Sequence, residues 1–310
     1  MITHILNFIY KHELVVGITS FVVSFFLLLI FSSNFNTIKT LPIGLAWFGV
    51  FLIGDYLNRV TGEGSIFPHR KDQKNKIRNL ILAALLMNFI SDLTGAYLIR
   101  LWYYPYFNPL AYLLFIAPVG YIIFGVILYV FYRLFKKNYD DNVKPGRMSK
   151  VKAIIYKVII NTELIAGILM TAFGFTHLLR LYQTFNVNWF EINKNIDIPV
   201  NVWYLVVMWL GLFFIMEFSC YFFNKETLTR DLIRGDLVPL ISIILASIIC
   251  IILVEIFNYP FQIWTFTNWP LDEIRFFDIP LVAYILWPIQ YLILLPLIRI
   301  FDGKNVENVW

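Results

Sequence analysis

Eight long apolar segments leave this chain few ways to fold. A hydrocarbon core about 30 Å thick needs about 20 apolar residues per crossing helix, and lipid offers no hydrogen-bonding partner to a backbone that is not helical. The segments lie near residues 13–32, 41–57, 79–99, 109–132, 160–182, 203–222, 237–257 and 280–298. The sequence therefore predicts an all-α, polytopic membrane protein with about eight transmembrane helices.

The composition supports that class and excludes others. Of the 310 residues, 59% are hydrophobic and 15% are charged, and the mean hydropathy is +0.71, which is too apolar for a soluble protein. The 25 Lys and Arg outnumber the 20 Asp and Glu, but they lie in short loops between the spans, so we expect no nucleic-acid partner. Cys220 and Cys250 both fall inside spans, which excludes a disulfide scaffold.

The basic residues alternate between loops and so predict an orientation. Loops 58–78, 133–159 and 223–236 carry six, eight and three of the 25 Lys and Arg, whereas each of the other loops carries one or two. Basic loops stay in the cytoplasm. We therefore expect a multi-pass protein of the cell membrane with both termini in the cytoplasm.

The separation in sequence between Trp102 and Trp264 recurs between other pairs of matching residues, and we call it the constant interval. The same interval joins Phe115 to Phe277, Pro118 to Pro280, and the segment 47–55 to 209–217. We infer a duplication, with a first four-helix repeat at 1–135, a basic cytoplasmic linker at 136–159 and a second four-helix repeat at 160–310. Because each half has an even number of spans, the repeats should be parallel and related by an axis along the membrane normal.

Two loops predicted to face outward are rich in aromatic residues. Segments 101–109 and 259–270 are interrupted by prolines, so a helix cannot run through them. One interpretation is an aromatic belt at the lipid headgroups. The other is that the loops cap a cavity and stack on an apolar ligand, with Trp102, Tyr103 and Trp264 as contacts. The fixed spacing favours the second, because belt residues need depth but no register.

Ionisable residues within the spans fall into two layers. Asp55, Glu163 and Glu217 lie toward the predicted cytoplasmic ends, where we expect Asp55 and Glu217 to be structural. The outer layer consists of Asp92, His177, Arg180 and Glu255, with Asn88 on the same helix face as Asp92. Charges in lipid are costly, so they usually face a bundle interior or a cavity.

This outer layer allows two interpretations. It predicts an acid/base cluster in one pocket beneath the two loops, with Glu255, among apolar neighbours, as the proton donor and Asp92 as the stabiliser of a developing positive charge. The alternative is a set of interhelical pairs that hold the bundle together. No nucleotide-binding glycine loop, His-Glu-x-x-His motif or Cys cluster is present, so we expect no cofactor and no metal site. Asp140-Asp141, the only pair of adjacent aspartates, is interpreted as a solvated linker.

One stretch resembles a known family. The resemblance rests on Asp92-x4-Tyr97-x4-Trp102-Tyr-Tyr-Pro105 with Pro118 leading the next helix, and on Glu255, Trp264 and Pro280 in the second copy. This pattern is similar to the integral-membrane lycopene cyclase domain of carotenoid biosynthesis. In that family a Pro-x-Glu glutamate is thought to protonate the polyene. Here Val119-Gly120 and Leu281-Val282 follow the two prolines, so neither copy supplies that acid.

The leading hypothesis is a membrane-embedded enzyme that acts by cyclase- or isomerase-like acid/base chemistry on an apolar isoprenoid- or carotenoid-like substrate. The catalytic candidates are Asp92, Glu255 and His177, and the substrate-binding candidates are Trp102, Tyr103, Trp264, Arg180 and Asn88. The expected partners are the lipid bilayer and the apolar small molecule. A transporter or lipid-handling protein and a non-catalytic membrane subunit remain as alternatives.

Overall fold

The computed structural model describes residues 2–30, 40–67, 71–107, 110, 112, 120–140, 148–187, 191 and 194–302. The first half contains helices α1 (Ile2–Lys11), α2 (Glu13–Ile30), α3 (Thr40–Val60) and α4 (Lys71–Asp92), a π-helical segment Leu93–Leu98, strand β1 (Trp102–Tyr103) and helix α5 (Ile122–Asp140). Phe115 and Pro118, on which part of the duplication argument rests, lie outside the described residues.

The second half begins at residue 148 in the described chain. It contains helices α6 (Lys150–Thr184), α7 (Trp203–Phe222), α8 (Leu228–Arg234) and α9 (Val238–Asn258), strands β2 (Thr265–Phe266), β3 (Arg275–Phe276) and β4 (Ile279–Pro280), and helices α10 (Leu281–Tyr291) and α11 (Leu294–Asp302). The strands form two-residue antiparallel pairs, β1 with β2 and β3 with β4.

Six helical stretches of the described chain are long and apolar enough to cross a bilayer. They are Glu13–Ile30, Lys74–Leu98, Lys150–Thr184, Trp203–Phe222, Val238–Asn258 and Leu281–Phe301. The predicted all-α class is confirmed at this level. The remaining two predicted spans correspond to α3 and α5, which carry charged side chains in their last turns. The count of eight therefore stays a prediction.

Several helices differ in extent from the predicted spans, and local chemistry explains the differences. Helix α6 begins ten residues before the predicted span, because the Ser149 hydroxyl caps it by accepting a hydrogen bond from the amide of Lys152. The predicted linker 136–159 is accordingly helical at both ends. The last span is divided at Leu292 and Ile293, since Pro296 has no N–H to donate to the Leu292 carbonyl.

Close glycine contacts join two pairs of helices. Helix α2 packs along α3 and α6 packs along α7, and these are the two most extensive helix contacts in the described chain. A Cβ added at Gly49 would lie 2.6 Å from the carbonyl oxygen of Gly17, and one added at Gly211 would lie 2.8 Å from that of Gly167. Only glycine allows backbones to approach so closely.

At one end of the bundle, buried carboxylates accept hydrogen bonds from the segments that follow two of the helices. Asp55 accepts hydrogen bonds from the Ser65 hydroxyl and, at 2.8 Å, from the Ile66 amide. In the second half Glu217 accepts from the Thr229 amide at 2.9 Å, and Glu163 accepts from the Thr229 hydroxyl at 2.7 Å. These carboxylates hold the segments that follow α3 and α7.

Candidate functional site

The two aromatic loops meet at the other end of the bundle and form one ribbon. In this ribbon β1 and β2 run antiparallel, and Trp102 pairs with Phe266 while Tyr103 pairs with Thr265. The Thr267 amide extends the contact by donating to the Leu101 carbonyl at 2.9 Å. Two segments from different halves of the chain are therefore joined by backbone hydrogen bonds.

Side chains of the second loop anchor this ribbon. The Trp269 indole donates to the Leu101 carbonyl at 2.8 Å. The Asn268 amide donates to the Arg100 carbonyl at 2.9 Å and to the Ile196 carbonyl at 2.8 Å, and its oxygen accepts from the Ile198 amide at 3.1 Å. The connection between α6 and α7 is thereby tied to the same end of the bundle.

Asp92, in the last turn of α4, lies directly beneath the ribbon and is 5% exposed. Its carboxylate accepts hydrogen bonds from Trp102 Nε1 at 2.9 Å and from the Tyr104 hydroxyl at 3.1 Å. The hydroxyls of Tyr112 and Tyr121 also donate to Oδ2 of Asp92, and the two hydroxyls contact each other. Four neutral donors therefore surround one buried carboxylate and can satisfy its lone pairs.

Tyr104 illustrates the electrostatics of this cluster. Burial raises the pKa of the Tyr104 phenol well above its ordinary value, and the nearby Asp92 carboxylate raises it further. The phenol accordingly keeps its proton and acts as a donor at neutral pH. The cluster is thus a set of proton-bearing hydroxyls that share one acceptor carboxylate.

A cavity of about 110 Å³ opens beside Asp92. Its described lining is mostly aromatic and includes no Lys, Arg or His. The lining residues are Trp47, Asn88, Ser91, Asp92, Trp102, Tyr104, Gly120, Tyr121, Phe124, Val254, Trp264, Phe266, Trp287 and Tyr291. The structure thus brings together four of the residues singled out from sequence: Asn88, Asp92, Trp102 and Trp264.

Asn88 serves mainly to position the cavity walls, because its amide nitrogen is already engaged in hydrogen bonds. Its amide nitrogen donates to the Ala84 carbonyl at 2.9 Å and to the Tyr121 carbonyl at 3.2 Å. Asn88 thereby fixes the start of α5 against α4. The hydroxyl of Ser91, one turn further on, accepts a hydrogen bond from Gln290 of α10. Both contacts hold the walls of the cavity at a set distance.

Glu255 is buried near the cavity without lining it. One carboxylate oxygen accepts from Trp264 Nε1 at 3.0 Å and the other accepts from the Asn258 amide at 2.9 Å. Trp264 itself lines the cavity. Glu255 therefore positions an aromatic wall, and its carboxylate is already engaged by two side-chain donors.

Three of the residues singled out from sequence are not among the described residues that line the cavity: His177, Arg180 and Tyr103. On α6, the imidazole of His177 bonds the Phe173 carbonyl at 2.9 Å and stacks on the Tyr204 ring with centroids 4.2 Å apart. Arg180 is exposed on the same helix. The structure does not bring these two residues into the cavity that Asp92 lines, because His177 packs on α7 and Arg180 faces outward.

The tyrosines around Asp92 were not identified from sequence. Tyr104 lies within the quoted motif, two residues after Trp102, but was given no role, whereas Tyr112 and Tyr121 reach the site only through the fold. A signal did exist: one constant interval after these three tyrosines, the second half holds Phe266, Ile274 and Ala283, which have no hydroxyl. Within the described residues, no three His, Cys, Asp or Glu side chains are arranged to hold a metal ion.

Comparison with known proteins adds no assignment to this geometry. No protein-family model, no curated protein and no solved structure matches the chain.

Proposed function

We propose that the chain is a multi-pass protein of the cell membrane, with both termini in the cytoplasm and eight spans arranged as two parallel four-helix repeats. Hydrogen bonds at the carboxylate end support this proposal. Asp55 accepts from the Phe67 amide at 3.2 Å, and Glu217 accepts from the Thr229 amide at 2.9 Å. Glu217 and Thr229 each follow their counterparts, Asp55 and Phe67, by the constant interval.

The ribbon supports the same proposal. Tyr103 pairs with Thr265, which is its own counterpart at the constant interval. In an antiparallel pair, a residue that faces its own counterpart lies on the local two-fold axis, as expected for halves related by rotation. Superposition of residues 41–132 on 203–294 in an experimental structure tests the duplication. Inverted halves would contradict it.

The function that this geometry supports best is acid/base chemistry by Asp92 on the end of an apolar, isoprenoid-like molecule that enters the aromatic cavity. The carrying observation is that Asp92 is the one carboxyl group in the described lining of an otherwise mainly aromatic cavity. Aromatic faces attract positive charge, and a buried carboxyl can supply or accept a proton. Together they suit a reaction in which positive charge develops on a hydrocarbon.

This proposal exchanges the roles expected for the two acids. Asp92 touches the cavity and accepts hydrogen bonds from three phenols, whereas Glu255 is held behind Trp264. In its protonated form Asp92 is the proton donor in this proposal, the carboxylate left after the transfer is stabilised by the hydrogen bonds of the phenols and of Trp102, and it takes a proton back from the product cation. Glu255 is a positioning residue for the Trp264 wall. Because the corresponding positions near Glu255 lack the tyrosine hydroxyls, the two halves would have diverged at the reactive centre.

The cavity size limits what can enter. A volume of about 110 Å³ is smaller than the roughly 150 Å³ of an apolar protein cavity that holds a benzene ring. The end of a prenyl chain rather than a whole ring fits beside Asp92, so the rest of a long substrate would extend between helices into the bilayer. The resemblance to the lycopene cyclase domain agrees with such a substrate, and Asp92 would supply the acid that its Pro-x-Glu provides.

The test compares isoprenoid and lipid profiles of a host with and without the gene, followed by Asp92→Asn and Glu255→Gln. We expect any gene-dependent product to fall by about two orders of magnitude in Asp92→Asn, in line with the loss of a general acid. The product should persist in Glu255→Gln, which keeps the volume of the side chain. Full activity in a folded Asp92→Asn variant would refute the assignment.

A proton-coupled transporter is the second candidate, because buried carboxylates lie at both ends of the bundle. Glu163 and Glu217 lie at one end, and Asp92 and Glu255 lie at the other. Acids within the membrane that reach both faces suit proton carriage. Proton uptake by sealed proteoliposomes that is abolished in both Glu217→Gln and Asp92→Asn would favour transport over the enzyme.

A further inference from the structure

A second cavity, larger than the first, opens between α1, α3, α4 and α5. It has a volume of about 240 Å³, and its described lining is entirely apolar. The lining residues are Leu6, Ile9, Phe48, Phe51, Phe67, Ile77, Ile81, Ile122, Ile123 and Val126. It shares no described residue with the cavity beside Asp92.

This groove is elongated along the bundle. Phe67 and Ile77 mark one end, close to the segment that bonds Asp55. Ile122 marks the other end. The carbonyl of its neighbour Tyr121 accepts a hydrogen bond from Asn88, so this end of the groove lies at the depth of Asn88 on α4. Ile77 and Asn88 are eleven residues apart on α4, which corresponds to about 16 Å of helix rise. The groove therefore suits a chain of methylenes better than a compact ring.

Two cationic side chains lie at the end of the groove that Ile77 marks. Lys74 and Arg78 are exposed, and neither pairs with a described acidic residue. Residues three and four apart lie on one helix face, so Lys74 and Arg78 share the α4 face of Ile77 and Ile81. Lys76 is also exposed, but it lies on a different face. Positive charge is thus concentrated at the end of the apolar groove that Ile77 marks.

We propose that this groove binds an anionic phospholipid, with one acyl chain between α1 and α5 and its phosphate at Lys74 and Arg78. The charge complementarity selects the headgroup, because Lys and Arg bind phosphate strongly. The described lining side chains carry no polar atom, which argues against a hydroxylated or ketone-bearing ligand in the slot. The site lies in the predicted cytoplasmic leaflet and does not depend on the Asp92 proposal.

The shape of α1 fits this occupant. Leu6 and Ile9 turn toward the groove, whereas Ile5 and Phe8 on the same helix are 49% and 60% exposed. Lys11 lies in the last turn. A short helix with apolar side chains and a terminal cation lies in the membrane interface. In that position α1 covers the lipid chain from the side.

The experiment measures retention of defined lipids by native mass spectrometry of the purified full chain, with dioleoyl phosphatidylglycerol, dioleoyl phosphatidylcholine, dioleoylglycerol and inorganic phosphate as probes. We expect phosphatidylglycerol to be retained in preference to the other three. Lys74→Gln and Arg78→Gln should each weaken its retention about fivefold, which corresponds to one lost cation at an anionic headgroup. Lys76→Gln, which removes a charge from the other face, is the matched control.

A second pair of variants tests the slot itself. Ile81→Trp fills the groove and should abolish retention, whereas Leu82→Trp, at a neighbouring position that is 49% exposed, should leave it unchanged. Ile123→Phe serves the same purpose if Ile81→Trp does not fold. Equal retention of the anionic and zwitterionic lipids, tight binding of phosphate alone, or equal effects of the filling and control variants would each overturn the proposal.

Discussion

The indole nitrogen of Trp102 lies 2.9 Å from Oδ1 of Asp92, so the ribbon is tied to the last turn of α4 by a buried hydrogen bond. Gly95 makes this arrangement possible, because a Cβ at that position would overlap the six-membered ring of Trp102. The indole of Trp102 therefore packs against the π-helical segment at the position where Gly95 has no side chain.

Gly95→Ala should displace Trp102 and destabilise the protein by about 1–3 kcal/mol, the usual cost of overpacking a core. The same substitution in a Trp102→Phe background should cost much less, because the smaller ring leaves room for the added methyl group. Thermal unfolding of the four proteins in one detergent gives the coupling energy. Additive effects would show that the two residues do not share this contact.

The glycine crossings should be similarly sensitive in both halves. Gly49→Ala and Gly211→Ala each place a Cβ 2.6 Å from backbone atoms of the neighbouring helix, so we expect each to cost about 1–3 kcal/mol. Ile168→Ala, at a 53% exposed position, is the control and should cost little in a lipid-like environment. Melting temperatures unaffected by the glycine substitutions would contradict the close approach of these helices.

The ion pair between Arg299 and Asp231 should behave as a buried unit. Its atoms lie 2.8 Å apart, and the two residues are 7% and 9% exposed. Asp231→Asn leaves a buried cation without its counter-ion and should cost about 3–5 kcal/mol. The double variant Asp231→Asn with Arg299→Met should recover most of that loss. A double variant less stable than Asp231→Asn would refute this explanation.

The predicted orientation can be tested by labelling with an impermeant thiol reagent in intact cells. In a background with Cys220 and Cys250 replaced by alanine, Ser149→Cys should be shielded and Leu271→Cys should react, since both side chains are exposed on the protein surface. Ser149 precedes α6 at the basic end, and Leu271 lies in the loop beyond β2. Labelling of Ser149→Cys alone from outside would reverse the topology.

Much of the site could be predicted because it is encoded locally. Asp92 and Asn88 are one turn apart on α4, and Trp102 follows Asp92 closely in sequence, so short segments carry them to the same end of the bundle. Trp264 was identified because it repeats Trp102 at the constant interval. The same reasoning was not sufficient for His177. Its depth in the membrane could be inferred from sequence, but depth does not specify the direction in which a helix face points.

The sequence by itself determined the helical membrane class, the aromatic segments that interrupt the helices and the concentration of polar groups at two levels, because bilayer thickness and backbone hydrogen bonding restrict each span independently. Only the tertiary structure decided that Tyr104, Tyr112 and Tyr121 surround Asp92 and that the two aromatic loops pair as strands. These contacts depend on helix rotation and on packing between the halves, such as α4 with α11 and α5 with α9. Rotation and packing arise from the shapes of many side chains at once, which no single span contains.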